Sequence, residues 1–186
     1  VYRSSEVIGR QVDHMTGLID ELLDVARVTR GLIKLDKDVV DANRVLGEAL
    51  EQIRPVIAER GHGLQVSHPP GPALVEGDHK RLVQVLANLL NNAAKFTPQG
   101  GMIKVALVTD PGHVRVLVED NGVGMTPQLI EHAFDLFAQA ERTSDRSQGG
   151  LGIGLALVRT LVTLHGGDVS AESPGPGQGA RFTVSL

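Results

Sequence analysis

Apolar residues in the first thirty positions recur at alternating spacings of four and three: Ile8, Val12, Met15, Ile19, Leu22 and Ala26. This is a heptad seam, and it predicts one long helix over about residues 3–30, with Leu18, Leu23 and Val25 broadening the apolar face and Gly31 as a stop. A helix packed on its own globular domain would also be amphipathic, but the strict alternation favours a bundle or coiled-coil partner. From Leu32 the period changes. Leu32-Ile33-Lys34-Leu35 and Val39-Val40 predict an entry strand. Asp41 and Asn43 offer caps for a helix running to Arg60, which Pro55 should bend rather than end.

Residues 63–67 and 73–75 read as short strands on either side of Pro69-Pro70-Gly71-Pro72. Asp78 caps a helix that continues to Lys95 or Phe96. Residues 102–109 and 114–119 alternate as paired strands about the turn Asp110-Pro111-Gly112. Residues 126–150 read as irregular, with a short helix near 129–133. A helix over 153–165 and strands over 168–171 and 181–186 follow. This order predicts an α+β domain, a mixed sheet covered on one face by three helices, preceded by the long coiled-coil-like helix.

Composition narrows the function classes. The chain has 186 residues and is 41% hydrophobic, with few aromatics and no Trp, so Val, Leu, Ile and Ala must build its core. A net charge of -4, with charges scattered, argues against nucleic-acid binding and against direct contact with an anionic membrane. Cysteine is absent, which excludes disulfides and thiolate zinc sites. No apolar run is long enough to span a bilayer and no signal peptide is present, so a cytoplasmic location is expected. The chain opens at Val1 without a Met and reads as a piece of a longer protein.

Three elements carry candidate chemistry. On the helix after Asp78, Leu82, Leu86, Leu89 and Ala93 form the core-facing row, while Gln84, Asn88, Asn92 and Lys95 share another stripe. An amide oxygen is an acceptable hard ligand for Mg²⁺, and Lys95, about one turn beyond Asn92, could reach a phosphate. Ordinary solvated asparagines would give the same pattern. Next, Asp120 ends an apolar strand and leads into Asn121-Gly122-Val123-Gly124. Its carboxylate can accept a hydrogen bond from a base amino group, and glycines 122 and 124 let the backbone lie against the ring. A simple Asp-Asn-Gly turn is the alternative. Third, Gly149-Gly150-Leu151-Gly152-Ile153-Gly154 opens directly into the helix from Leu155, which presents unpaired N–H groups and the positive dipole end to a phosphate. It matches neither a Walker loop nor a dinucleotide fingerprint. The polar stretch 138–148, with Arg142 and Arg146, reads as a flap over a nucleotide or as a surface loop.

Together these residues resemble the ATP-binding module of the two-component sensor histidine kinases. Residues 88–97, Asn-Leu-Leu-Asn-Asn-Ala-Ala-Lys-Phe-Thr, resemble the family's N box; Asp120 to Met125 resemble its first glycine box. Phe134-Asp135-Leu136-Phe137 resembles the phenylalanine box, Gly150 to Leu155 the second glycine box, and Gly177 to Phe182 the last. The resemblance covers about residues 40–186. It implies the Bergerat α/β sandwich shared with gyrase, Hsp90 and MutL ATPases, an ATP-binding catalytic domain over residues 32–186, and ATP and Mg²⁺ as cofactors. It further implies that Asn92 coordinates Mg²⁺, Asp120 reads the adenine amino group, Lys95 contacts phosphate and Asn88 supports the phosphate side. Gly122, Gly124, Phe137, Gly150, Leu151, Gly152, Gly154 and Leu155 would complete the nucleotide site, with 138–150 as its lid.

Residues 18–27 resemble the second helix of the family's dimerisation and phosphotransfer hairpin, so residues 1–31 are expected to be part of that hairpin. This implies a homodimer in the intact protein and a response-regulator receiver domain as partner. The acceptor setting, His followed by Glu or Asp and then Arg and Pro, is not found. His14 stands in His14-Met15-Thr16, and the other six histidines lack the setting too. The expected activity is transfer of the γ-phosphoryl of ATP to a histidine on another segment. The alternatives are a nucleotide-binding module without catalysis, or a gyrase-like ATPase. The latter uses a Glu where this chain has Asn88, and an amide cannot act as that base.

Overall fold

A computed structural model describes residues 23, 34–138 and 152–186. The heptad seam, His14, Gly150 and Leu151 lie outside the described residues, as does nearly all of the expected lid. Leu35–Leu186 is one compact unit. Its elements are β1 (Asp38–Asp41), α1 (Ala42–Glu59), β2 (Gly63–Ser67), β3 (Leu74–Gly77), α2 (His79–Phe96), β4 (Met102–Asp110), β5 (His113–Asp120), α3 (Pro127–Glu131), α4 (Gly154–Leu164), β6 (Asp168–Glu172) and β7 (Ala180–Ser185).

Local chemistry sets the helix starts. One oxygen of Asp41 accepts from the Asn43 N–H (3.0 Å), the Asn43 side-chain amide (3.0 Å) and the Ala73 N–H (3.1 Å). The Asn43 backbone N–H is the main reason that the Asp41 carboxyl is held below its ordinary range. Asp78 caps α2 through the Arg81 N–H at 3.2 Å. α1 continues through Pro55. The short helix α3 begins earlier than expected, because Thr126 accepts from the Leu129 N–H (3.2 Å) and Pro127 occupies the first turn.

The main sheet has the order β2-β4-β5-β7-β6; β2 runs parallel to β4 and the other pairs are antiparallel. β1 and β3 do not join it, as the single expected sheet would require, but pair with each other. Each of them leads straight into a helix start, and the Ala42 N–H donates to the Ala73 carbonyl (2.8 Å). This pairing holds them at the helix N-termini. The entry strand begins at Asp38, so Lys34 and Leu35 are not part of it.

On one face of the sheet, Ile103, Val105, Val116, Val118, Phe182 and Val184 are buried beneath the helices. Leu82, Leu86, Leu89 and Ala93 of α2 are buried as the sequence predicts, together with Val45, Leu46 and Ile53 of α1 and Leu157 and Leu161 of α4. The other face carries a charge ladder across four strands. Lys104 pairs with Glu119 (3.9 Å), Glu119 with Arg181 (2.7 Å), and Arg181 with Glu172 (4.0 Å). Such exposed pairs add little stability. Among the described residues no helix is long and apolar enough to cross a membrane.

Candidate functional site

The amide stripe of α2 holds together. Gln84, Asn88, Asn92 and Lys95 are all half-buried, whereas Asn91 is exposed. The Asn88 side-chain nitrogen is buried with no hydrogen-bond partner among the described residues. A buried orphan donor of this kind costs stability unless something accepts from it. A Cβ on Gly154 would lie 3.7 Å from the Asn88 amide, so this side chain faces the opening of α4. No side chain caps α4, and its first intrahelical bond runs from the Leu157 N–H to the Ile153 carbonyl. The N–H groups of Gly154, Leu155 and Ala156 precede that bond and stand at the positive end of the helix.

The far end of the same helix pair is fastened by His165. Its Nε2 accepts from the Asp78 N–H (2.9 Å), which puts the ring proton on Nδ1, where it is donated to the Leu161 carbonyl (2.7 Å). The C-terminus of α2 is held just as firmly. The Ala93 carbonyl accepts from the Thr97 N–H (3.1 Å), Ala94 from His62 (3.0 Å), Lys95 from Arg60 (3.1 Å) and Phe96 from the Val123 N–H (3.1 Å). All four terminal carbonyls are satisfied, and the last bond ties the helix to the loop after β5. Lys95 extends its ammonium over the Phe96 ring, 4.8 Å from the centroid.

Asp120 ends the central strand β5, between β4 and β7, and is 8% exposed. Its carboxylate accepts from the Gly122 N–H at 2.8 Å. Burial pushes this carboxyl above its ordinary 3.8, against the Gly122 and Ala180 N–H groups, which favour the charge, and with a smaller upward push from Glu119. A buried carboxylate at a strand end, with few donors of its own, can accept from a ligand.

Around Asp120, main chain closes on main chain. The Gly177 N–H donates to the Val123 carbonyl (2.6 Å) and the Gly179 N–H to the Gly122 carbonyl (3.1 Å). Gly124 (φ 64°) and Gly179 (φ 76°) take the left-handed conformation, and a Cβ would strike the Gly175 carbonyl from the first or the Asp120 carbonyl from the second. The approach leaves room only for glycine.

Phe137 is 62% exposed and has φ 65°, and its N–H donates to the Gly152 carbonyl (3.0 Å). That bond joins the residues on either side of the expected lid. Phe134 meets Phe182 edge-on, with centroids 6.3 Å apart, and so anchors this segment on β7. Among the described residues no three His, Cys, Asp or Glu side chains could hold a metal ion together. A divalent ion here would depend on amide oxygens and on its own ligand's phosphates.

Residues 77–186 match the family described as histidine kinase-, DNA gyrase B-, and HSP90-like ATPase. The chain belongs to this family. Histidine protein kinase DivJ of Caulobacter vibrioides is 34% identical over 182 residues, covering 98% of this chain and 30% of that protein. The probable sensor histidine kinase TcrY of Mycobacterium tuberculosis is 34% identical over 96% of this chain and 37% of its own length. The chain thus spans about a third of these curated relatives. Among solved structures, full-length ShkA in complex with AMPPNP shares 31% identity at a TM-score of 0.80, covering 95% of this chain and 36% of that one. The mycobacterial sensor histidine kinase MprB shares 32% identity at 0.69, over 81% of this chain and 96% of that chain. The mixed sheet with its helices is the Bergerat fold of this family.

Sequence reasoning missed Ser173, His165 and Arg60, which bind backbone rather than project into the site. A serine followed by Pro174-Gly175 was a turn signal, but it did not reveal what the hydroxyl would hold.

Proposed function

We propose that this chain is the ATP-binding catalytic part of a sensor histidine kinase, transferring the γ-phosphoryl of ATP to a histidine on a dimerisation helix for relay to a response-regulator aspartate. One observation carries the reading: Asn88, whose buried side-chain nitrogen has no partner among the described residues, sets its amide carbon and oxygen beside the uncapped start of α4. Polyphosphate is the ligand chemistry that both groups would satisfy. Asp120 accepts from the adenine amino group, with Gly122 and Gly124 against the ring. Asn92 would hold Mg²⁺ and Lys95 a phosphate oxygen; when bound, the ion neutralises charge developing on the transferred group. Gly152, Gly154 and Leu155 supply backbone donors, and Phe137, Gly150 and Leu151 also contribute to nucleotide binding. The residue opposite Gly154 is an amide and takes no proton from water, so transfer rather than hydrolysis follows. The parent protein acts in the cytoplasm as a homodimer.

The test is a phosphotransfer assay with ATP, Mg²⁺ and a separately supplied dimerisation hairpin carrying an acceptor histidine. Acid-labile label should appear on the hairpin and not on this chain, since none of the seven histidines has the acceptor setting. ATP binding without transfer would make the chain a non-catalytic nucleotide module. Rapid phosphate release without a hairpin would make it an ATPase.

A further inference from the structure

Among the described residues, one side chain, Ser173, ties the loop after Asp120 to the glycine segment that packs on it, whereas Asn121 fastens the same loop to β4 by accepting from the Met102 N–H (2.7 Å). The Ser173 hydroxyl, just beyond β6, accepts from the Met125 N–H (2.9 Å) and from the Gly175 N–H (3.3 Å). Its own proton goes to the Gly179 carbonyl (2.6 Å). One oxygen therefore clamps both chain segments, the 120–125 loop at Met125 and the 175–179 loop at both its ends. Gly179 in turn lies against the Asp120 carbonyl and donates to the Gly122 carbonyl. The remaining ties described between the two segments are backbone bonds, from Gly177 to Val123 and from Gly179 to Gly122. Backbone bonds alone leave sliding as the soft motion of stacked glycine segments, because glycine has the widest range of accessible dihedrals. A shift of that loop moves the carboxylate of Asp120 relative to whatever donates to it.

We propose that Ser173 is a specificity-determining positioning residue: it holds the Asp120 loop in the register that lets the carboxylate meet the adenine amino group. Ser173 touches no ligand; it acts through the loop. The inference rests on the reading of Asp120 as the adenine acceptor and names what keeps that acceptor in place. Because the amino-group hydrogen bond depends on direction far more than the contact of Gly122 and Gly124 with the ring does, the effect separates from general loosening of the fold.

The experiment compares two nucleotides by calorimetry: ATP, and purine riboside triphosphate, which is ATP without the 6-amino group. Ser173→Ala should weaken ATP by about fivefold, the loss of a polar contact, while purine riboside triphosphate changes by less than about twofold. Ser173→Thr, which keeps the hydroxyl, should retain the parent's preference for ATP, and Ser173→Val, of the same shape without the hydroxyl, should lose it. This pair carries the test if Ser173→Ala fails to fold. Equal weakening of both nucleotides, or an unchanged ratio in Ser173→Ala and Ser173→Val, would overturn the role of Ser173. If the parent protein itself binds the two nucleotides equally, the adenine reading of Asp120 falls, and this inference with it.

Discussion

Asn88, Asn92 and Lys95 reach the candidate site as side chains on the wall of a helix, whereas Gly122, Gly124 and Gly179 shape their part of it from main chain packed on main chain. The helix wall is modular. α2 is capped at Asp78, its last four carbonyls are bonded, and its apolar row is buried, so one amide can be changed without moving the others. The glycine cradle has no such independence, since a Cβ at one position drives into the carbonyl of another segment. A side-chain site loses contacts one at a time; a backbone site loses its shape all at once.

Substitution at Gly179 should break the contrast most visibly. Gly179→Ala adds left-handed strain of about 1–3 kcal/mol to a collision with the Asp120 carbonyl. It should lower stability in urea denaturation and reduce ATP affinity more than any single change on α2. Asp120→Asn should leave the fold intact and weaken ATP by roughly ten- to a hundredfold, the worth of a charged hydrogen bond of about 1.5–3 kcal/mol. Unchanged affinity in calorimetry would remove Asp120 from the site. On the helix wall, Asn92→Ala should weaken Mg²⁺-dependent binding roughly fivefold more than Asn91→Ala, because the two amides project about 100° apart and only Asn92 lies on the half-buried stripe. Equal losses would mean that the stripe is not the binding face.

The cradle's electrostatics give a subtler handle. Burial raises the Asp120 carboxyl above 3.8, so the folded chain keeps this proton at pH values where the unfolded chain has released it. Its contribution to stability is full below 3.8 and is lost as pH rises through the folded value. The stability of the parent protein minus that of Asp120→Asn should therefore decline as pH rises from 3.8 through this window, measured by urea denaturation. A flat difference would show that the carboxyl is not desolvated.

The same contrast decides what could be read in advance. Asn88, Asn92 and Lys95 are legible because helical spacing is local, and Asp120 because a carboxylate at the end of an apolar strand and before two glycines is a short pattern. The glycines of the cradle are visible as letters, but not the segment each one packs against. Ser173 holds a partner 48 residues away and His165 one 87 residues away, and neither separation leaves a periodic trace. The β1–β3 pair escaped for a related reason, since a short apolar strand reads the same in a main sheet as in a two-stranded ribbon. The heptad seam falls outside the described residues, and of the long helix only Leu23, in helical conformation, is described.

The position of Asp120 between Ile103 of β4 and Ala180 of β7 also fixes when in the life of the chain the cradle comes into being. The β4–β5 hairpin is a local contact and can form early, but β7 must travel back across some sixty residues to flank the same aspartate. Until it arrives, the 120–125 loop has neither Gly177 nor Gly179 to close on. A chain emerging during synthesis can thus own a finished amide stripe while the cradle is still open, and a closed cradle becomes a sign that β7 is in place.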